Sequence, residues 1–390
     1  VSTFYAVLLV ELGITLLVLS GVGVYWRWHH LAWPGARNSS RSLPSIPART
    51  FLRCLLGSLW VLDGLLQAQP AMPAGFPGGI LAPVAVGQPG WLHAMLDWEI
   101  RLWQVHPVHL AAATVLIQVG IGLAILTGGD TRLGRVGLWS SIVWGILVWL
   151  LGEAVGGLLG PGASLLSGSP GSVLAYVAAA ALLLAPVELW QRGRACRIIE
   201  VGVGTTFLIG ALLQTLPSEG FWTPAGLRAL FAPMAVVPQP GFLGGPIAAL
   251  ARLVATDPLL WNSLFIFAML GLGVGLCLIG GNRWLTMAAL VWTAFAWWFG
   301  QDFGMFGTGV ATDPNLAPLM AVLLLTAQLS SDGPWRILRR IHPHQHPVLL
   351  RRLALAGLVA ILIGVLGGLP YVSQGAFANP SVVPPSASLH

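Results

Sequence analysis

The sequence predicts an all-α, polytopic membrane protein with about ten transmembrane helices, built as two parallel four-helix repeats with one flanking helix at each end. Three observations predict it. Charged residues make up only 8% of the chain against 56% hydrophobic residues, with a mean hydropathy of +0.80; a water-soluble domain carries about 25% charged residues. Apolar runs of roughly 20 residues recur, each long enough to cross a bilayer. The same order of local motifs also occurs twice, nearly 150 residues apart.

Taken in order, the first apolar run covers 4–24 and is interrupted only by Glu11. No basic residue precedes it and no small-residue cleavage site follows, so it reads as a retained helix. Arg27, Arg37, Arg41, Arg49 and Arg53 come next and place that loop in the cytoplasm and the N-terminus outside. Further spans are expected near 51–68, 108–127, 136–159, 171–189, 198–216, 261–279, 284–300, 315–329 and 350–370. All 19 basic residues are Arg, and the expected outer segments hold only Arg101, Arg228 and Arg252. This asymmetry supports the span order and an inner-membrane protein with both termini outside. It also accounts for the net charge of +6 and pI near 10 without nucleic acid, because the arginines sit in short loops.

The long outer segments 69–107 and 217–260 are rich in Pro and Gly and are expected to hold short re-entrant or interfacial pieces. Trp91, Trp98, Trp103, Phe221 and Trp222 suit the headgroup region. The divisions that follow are 1–50 (first helix and basic loop), 51–197 and 198–335 (the two four-helix units), 336–370 (basic loop and last helix) and 371–390 (an external disordered tail).

The repeat rests on ordered matches. Leu65-Leu66-Gln67 pairs with Leu212-Leu213-Gln214, and Gln88-Pro89-Gly90-Trp91-Leu92 with Gln239-Pro240-Gly241-Phe242-Leu243. His106-Pro107 pairs with Asp257-Pro258. Trp144, Trp149, Gly152, Glu153 and Gly156 fall in step with Trp292, Trp297, Gly300, Gln301 and Gly304. Four spans per unit is an even number, so the copies run the same way through the membrane. Glycines such as Gly120, Gly122, Gly271, Gly273 and Gly275 are expected at close helix crossings.

The helix Leu52-Arg53-Cys54-Leu55-Leu56-Gly57-Ser58-Leu59-Trp60-Val61-Leu62-Asp63-Gly64, followed later by Gln118-Val119-Gly120-Ile121-Gly122 and the turn Thr131-Arg132-Leu133-Gly134, resembles the DoxX/DoxD-like family of four-helix membrane proteins. The resemblance covers about 50–190 and, more weakly, 198–330. It implies a membrane subunit of a quinone-linked redox system of the thiosulfate:quinone oxidoreductase kind. A bound quinone and a redox partner subunit are open on that reading. The two units, end helices and long outer loops depart from the family pattern.

Ionisable residues within spans are functional candidates by default. Glu153, Asp63 and Asp302 are the candidate polar or proton-linked groups, with Trp149, Trp297 and Gln301 as candidate cofactor contacts. The alternative for Glu153 and Asp63 is a structural bond to a neighbouring helix. His93, Glu99, His106 and His109 form a candidate metal cluster on the outer side, although three or four converging ligands are needed. His342-Pro343-His344-Gln345-His346 is a second His-rich tract. No His lies mid-span, which argues against a buried bis-His haem. Cys54, Cys196 and Cys277 form no CxxCH pattern, so covalent haem is not expected. The rival readings are a transporter of a small solute or ion, with its site between the repeats, and a non-catalytic scaffold.

Overall fold

The computed structural model describes residues 2–30 and 47–330. The expected last span at 350–370, the basic His-rich loop before it and the tail at 371–390 lie outside the described residues. Within them the chain is all-helical, without strands. The helices are α1 (Ser2–His30), α2 (Pro47–Gln67), α3 (Met72–Phe76), α4 (Ala82–Ala85), α5 (Gly90–Val105), α6 (Pro107–Gly128), α7 (Arg132–Leu150) and α8 (Val173–Leu184). They continue with α9 (Val187–Gln191), α10 (Arg194–Thr215), α11 (Pro224–Ala229), α12 (Ala232–Ala235), α13 (Gly241–Val254), α14 (Pro258–Leu278), α15 (Arg283–Phe295) and α16 (Leu316–Ser330).

Four of these, α6, α7, α10 and α14, are long and apolar enough to cross a membrane. A fifth results if α2 and the segment Met72–Ala85 count as one span, but the two are bent by 90°. Large apolar side chains stand exposed on their outer faces, among them Val143, Phe267 and Leu278. A water-facing protein rarely exposes apolar surface in such continuous bands, and these faces suit lipid. One expected span comes out short: α8 has 12 residues where 171–189 was expected. At about 1.5 Å per residue, it does not cross the roughly 30 Å of hydrocarbon unaided. α8 and α16 are each preceded by a largely buried, irregular segment, 151–172 and 301–315 respectively.

Two helix pairs, α2 with α6 and α10 with α14, pack most closely. Glycine makes both crossings. A Cβ on Gly122 would lie 2.5 Å from the Gly57 carbonyl oxygen, and one on Gly273 would lie 2.9 Å from that of Gly204. Gly120 and Gly271, also expected at crossings, face open space. Polar bonds supplement this packing inside the bundle: the buried Trp60 indole donates to Ser141 Oγ at 2.8 Å, and Gln328 Nε2 donates to Thr286 Oγ1 at 2.8 Å.

α16 packs against α2, α8, α10 and α15 and so joins the two halves in one apolar core. On the outer edge Glu11 Oε1 meets His109 Nδ1 at 2.9 Å, tying α1 to α6.

A methyl at Gly122 forces the two backbones apart. Gly122→Ala is expected to cost about 1–3 kcal/mol by overpacking, whereas Gly120→Ala should be neutral or slightly stabilising. Thermal unfolding of the two variants in one detergent checks this, and equal melting temperatures would refute the close crossing.

Candidate functional site

α7 ends at Leu150 and the helix expected over 136–159 breaks there, leaving Glu153 in the turn that follows. The Glu153 amide still bonds back to Val148 O at 2.9 Å, and the chain then runs left-handed through Ala154, Val155, Gly156 and Gly157. The second half breaks in the same way. The Gln301 amide bonds to Ala296 O at 3.0 Å, and Asp302, Phe303, Gly304 and Met305 are left-handed. Left-handed backbone costs a non-glycine residue about 1–2 kcal/mol, so something must hold both turns.

The holding contacts come from the predicted Trp and Glu/Gln pairs. Trp149 Nε1 donates to Pro170 O at 2.8 Å, and Trp297 Nε1 donates to Pro314 O at 2.9 Å. Glu153 Oε1 accepts from the Ser172 amide at 2.8 Å, the Ser172 hydroxyl at 2.5 Å and the Val173 amide at 3.3 Å. Gln301 Oε1 accepts from the Ala317 amide at 3.0 Å. In each half, a side chain at the end of one helix therefore caps the exposed amides that open the next. Gly171, at φ +107°, permits the approach, since a Cβ there would lie 2.2 Å from Glu153 Oε2.

The two irregular segments cross over. Segment 151–172 reaches the second half: Ser164 Oγ donates to Gln214 Oε1 at 2.9 Å, the Ala163 amide donates to Glu219 Oε2 at 2.8 Å, and Leu165 fills the space beside Gly210. Segment 301–315 reaches the first half. Val310 joins Met72, Phe76 and Trp103, and Ala311 packs on Leu62 and Leu66.

The two seams differ chemically. Beside α10, Gln214 is satisfied, since its Nε2 donates to Asn262 Oδ1 at 2.8 Å, its Oε1 accepts from Ser164, and its backbone carbonyl accepts from Asn262 Nδ2 at 3.1 Å. Beside α2, Asp313 comes within electrostatic reach of Asp63, Glu153 and Tyr176. Asp313 accepts from the Asn315 amide at 2.6 Å and from Thr312 Oγ1 at 2.9 Å. Asp63 and Tyr176 are fully buried, and the Tyr176 hydroxyl lies beside the Asp63 carboxyl without a bond of ordinary geometry. Asp63 Oδ1, Glu153 Oε2, Tyr176 OH and Gln67 Oε1 are all enclosed without a hydrogen-bond partner. Among the described residues, no Arg or His forms an ion pair with these three acids.

The structure thus brings Glu153 and Asp63 into one cluster but leaves Asp302 outside it, where its neighbour is the Gln239 amide. Sequence reasoning missed Asp313, Tyr176 and Ser172. Asp313-Pro314 falls in step with Ser169-Pro170, ahead of the two short helices, and that pairing was the available signal. The outer histidines do not converge: among the described residues no group of three or more His, Cys, Asp or Glu could hold a metal. His93 Nδ1 faces Ala85 O at 3.0 Å and its Nε2 faces Asp97, while His109 is held by Glu11. No family model, curated protein or solved structure matches this chain.

Glu99 lies on α5, outside the spans, and burial pushes its carboxyl up to about 7 against a bond from Trp103. The folded state then binds more protons than the unfolded state between pH 4.5 and about 7. Its contribution is present at low pH and lost as pH rises through that window. Glu99→Gln should remove a pH-dependent loss on the order of 2 kcal/mol, read as a flatter melting temperature against pH.

Proposed function

We propose that this chain is a polytopic inner-membrane protein of two related four-helix units, ten spans in all with both termini outside, that binds protons at the Asp63–Glu153–Asp313 cluster and moves a proton, or a solute coupled to it, across the membrane. The observation that carries this reading is the cluster itself. Three carboxyls share an enclosed seam without a basic partner among the described residues, and four polar atoms there go unmatched. Several uncompensated negative charges in such a place are prohibitively costly, so protons must balance them.

The surrounding architecture favours transport. α8 and α16 start at buried breaks in the chain, and discontinuous helices of this kind build the sites of many secondary transporters. The paired left-handed turns and the equivalent Trp149/Trp297 and Glu153/Gln301 contacts support a duplicated origin.

The quinone-linked redox subunit implied by the DoxX-like resemblance has one observation on its side. An apolar crevice lined by Leu52, Leu56, Leu59, Leu319 and Leu323 leads to Tyr176. Its free volume is only about 10 Å³, room for one water and not for a quinone ring. The geometry therefore favours the smaller occupant.

Carbodiimide labelling of the purified protein tests the reading, because it attacks protonated carboxyls in apolar surroundings. Labelling of Asp63, Glu153 or Asp313 at mildly acidic pH is expected, falling away as pH rises. Glu153→Gln should fold normally, since Gln301 makes the equivalent cap with an amide, yet should change the labelling of the remaining acids. No labelling of any of the three at any pH would refute the reading.

A further inference from the structure

A second feature lies at the opposite end of α2, about 15 Å of helix away from Asp63 at 1.5 Å per residue. Arg49 and Arg53, one turn apart, both grip Asp130 in the α6–α7 turn, at 2.7 and 2.5 Å. Arg49 also donates to Leu183 O at 3.1 Å. Burial opposes ionisation of Asp130, but the hydrogen bonds and charges of the two guanidiniums outweigh it and hold the carboxyl well below its usual range.

The clasp borders a cavity of about 440 Å³, whose lining adds Arg135, Leu138 and Trp139. That volume is within the roughly 300–1,000 Å³ of ligand pockets. Three guanidiniums face one carboxylate there. The Arg49 and Arg53 side chains are only 15% and 13% exposed, and the Nε of each is buried without a partner. The corresponding place in the second half is built differently: Glu200 stands where Arg53 would fall and accepts from the Gly281 amide at 2.7 Å, while Arg197 donates to Leu276 O at 2.8 Å. Among the described residues, the second half therefore sets Arg197 beside Glu200 where the first sets two arginines on one carboxylate.

We infer that the Arg49–Arg53–Arg135 cavity binds a phosphate-bearing anion at the inner face of the membrane. Planar guanidiniums match phosphate oxygens two at a time, and a single carboxylate cannot neutralise three of them. The exposed Trp139 and the Leu138 wall beside the arginines suit the first carbons of a phospholipid, and inner-leaflet anionic lipids are attracted to such basic pockets. A free phosphate would use the same arginines without the apolar wall. The inference needs the membrane setting but not the acid cluster.

The test uses the full chain in mild detergent, with native mass spectrometry of added phosphatidylglycerol against phosphatidylcholine and with inorganic phosphate as competitor. Retention of phosphatidylglycerol about tenfold over phosphatidylcholine, one 1.4 kcal/mol step in affinity, is expected, unaffected by millimolar phosphate. Arg135→Gln should abolish the preference while leaving the Asp130 clasp intact, and Arg49→Gln should weaken it as well. Binding of inorganic phosphate that displaces the lipid would assign the site to the free anion and keep the proposal. Equal retention of both lipids with no phosphate binding, or a preference unchanged in both variants, would overturn it.

Discussion

Irregular backbone packed among apolar helices cannot rely on water, so every turn in it must find its partners inside the protein. The rest of this structure depends on that constraint at two places, where α7 and the π-turn Ala296–Gly300 stop and the chain turns to start the next helix. Trp149 with Glu153, and Trp297 with Gln301, meet it in the same way: the indole binds the carbonyl before the new helix, and the carboxyl or amide oxygen binds its opening amides. Without these bonds, left-handed residues such as Val155 and Phe303 would have nothing to hold them.

The cap in the first half is a carboxyl where the one in the second half is an amide, and that difference runs through the whole first seam. Leu165 closes the space beside Gly210, and Asn262 answers Gln214. Asp63 stands at the position matching Gly210, and Ala111 at the position matching Asn262, so Gln67 loses its counterpart and the carboxyls gather. One seam is a packed joint. The other encloses polar atoms without hydrogen-bond partners, and the arginine-lined cavity at the far end of α2 adds a second asymmetry of opposite charge.

Much of this was legible in the residues. Composition and apolar runs gave a helical protein with lipid-facing surfaces, and the pairing of Glu153 with Gln301 and of Trp149 with Trp297 placed them at equivalent corners. Helix ends were not all legible, because an apolar sequence reads the same whether it continues as a helix or turns left-handed; 136–159 ran past its break at Leu150 for that reason, whereas 284–300 ended where the helical turns end. Asp313 was hidden too. It lies in a Thr-Asp-Pro-Asn turn, where Asp is expected for local capping, and only the crossing of segment 301–315 into the first half gives it distant partners. Histidine spacing misled in the opposite sense, since nearness along the chain did not bring His93 and His109 to one point.

The crossing of the two segments also decides what counts as a folding unit. Residues 151–172 complete the surroundings of α10, and residues 301–315 complete those of α2. Neither half owns all the side chains that fill it, so neither is a domain in the sense of a part that could stand alone. The peptide link between α9 and α10 matters little by comparison. Two fragments severed there would each carry the plug for the other's opening, and would recognise one another as lock and key rather than fold apart.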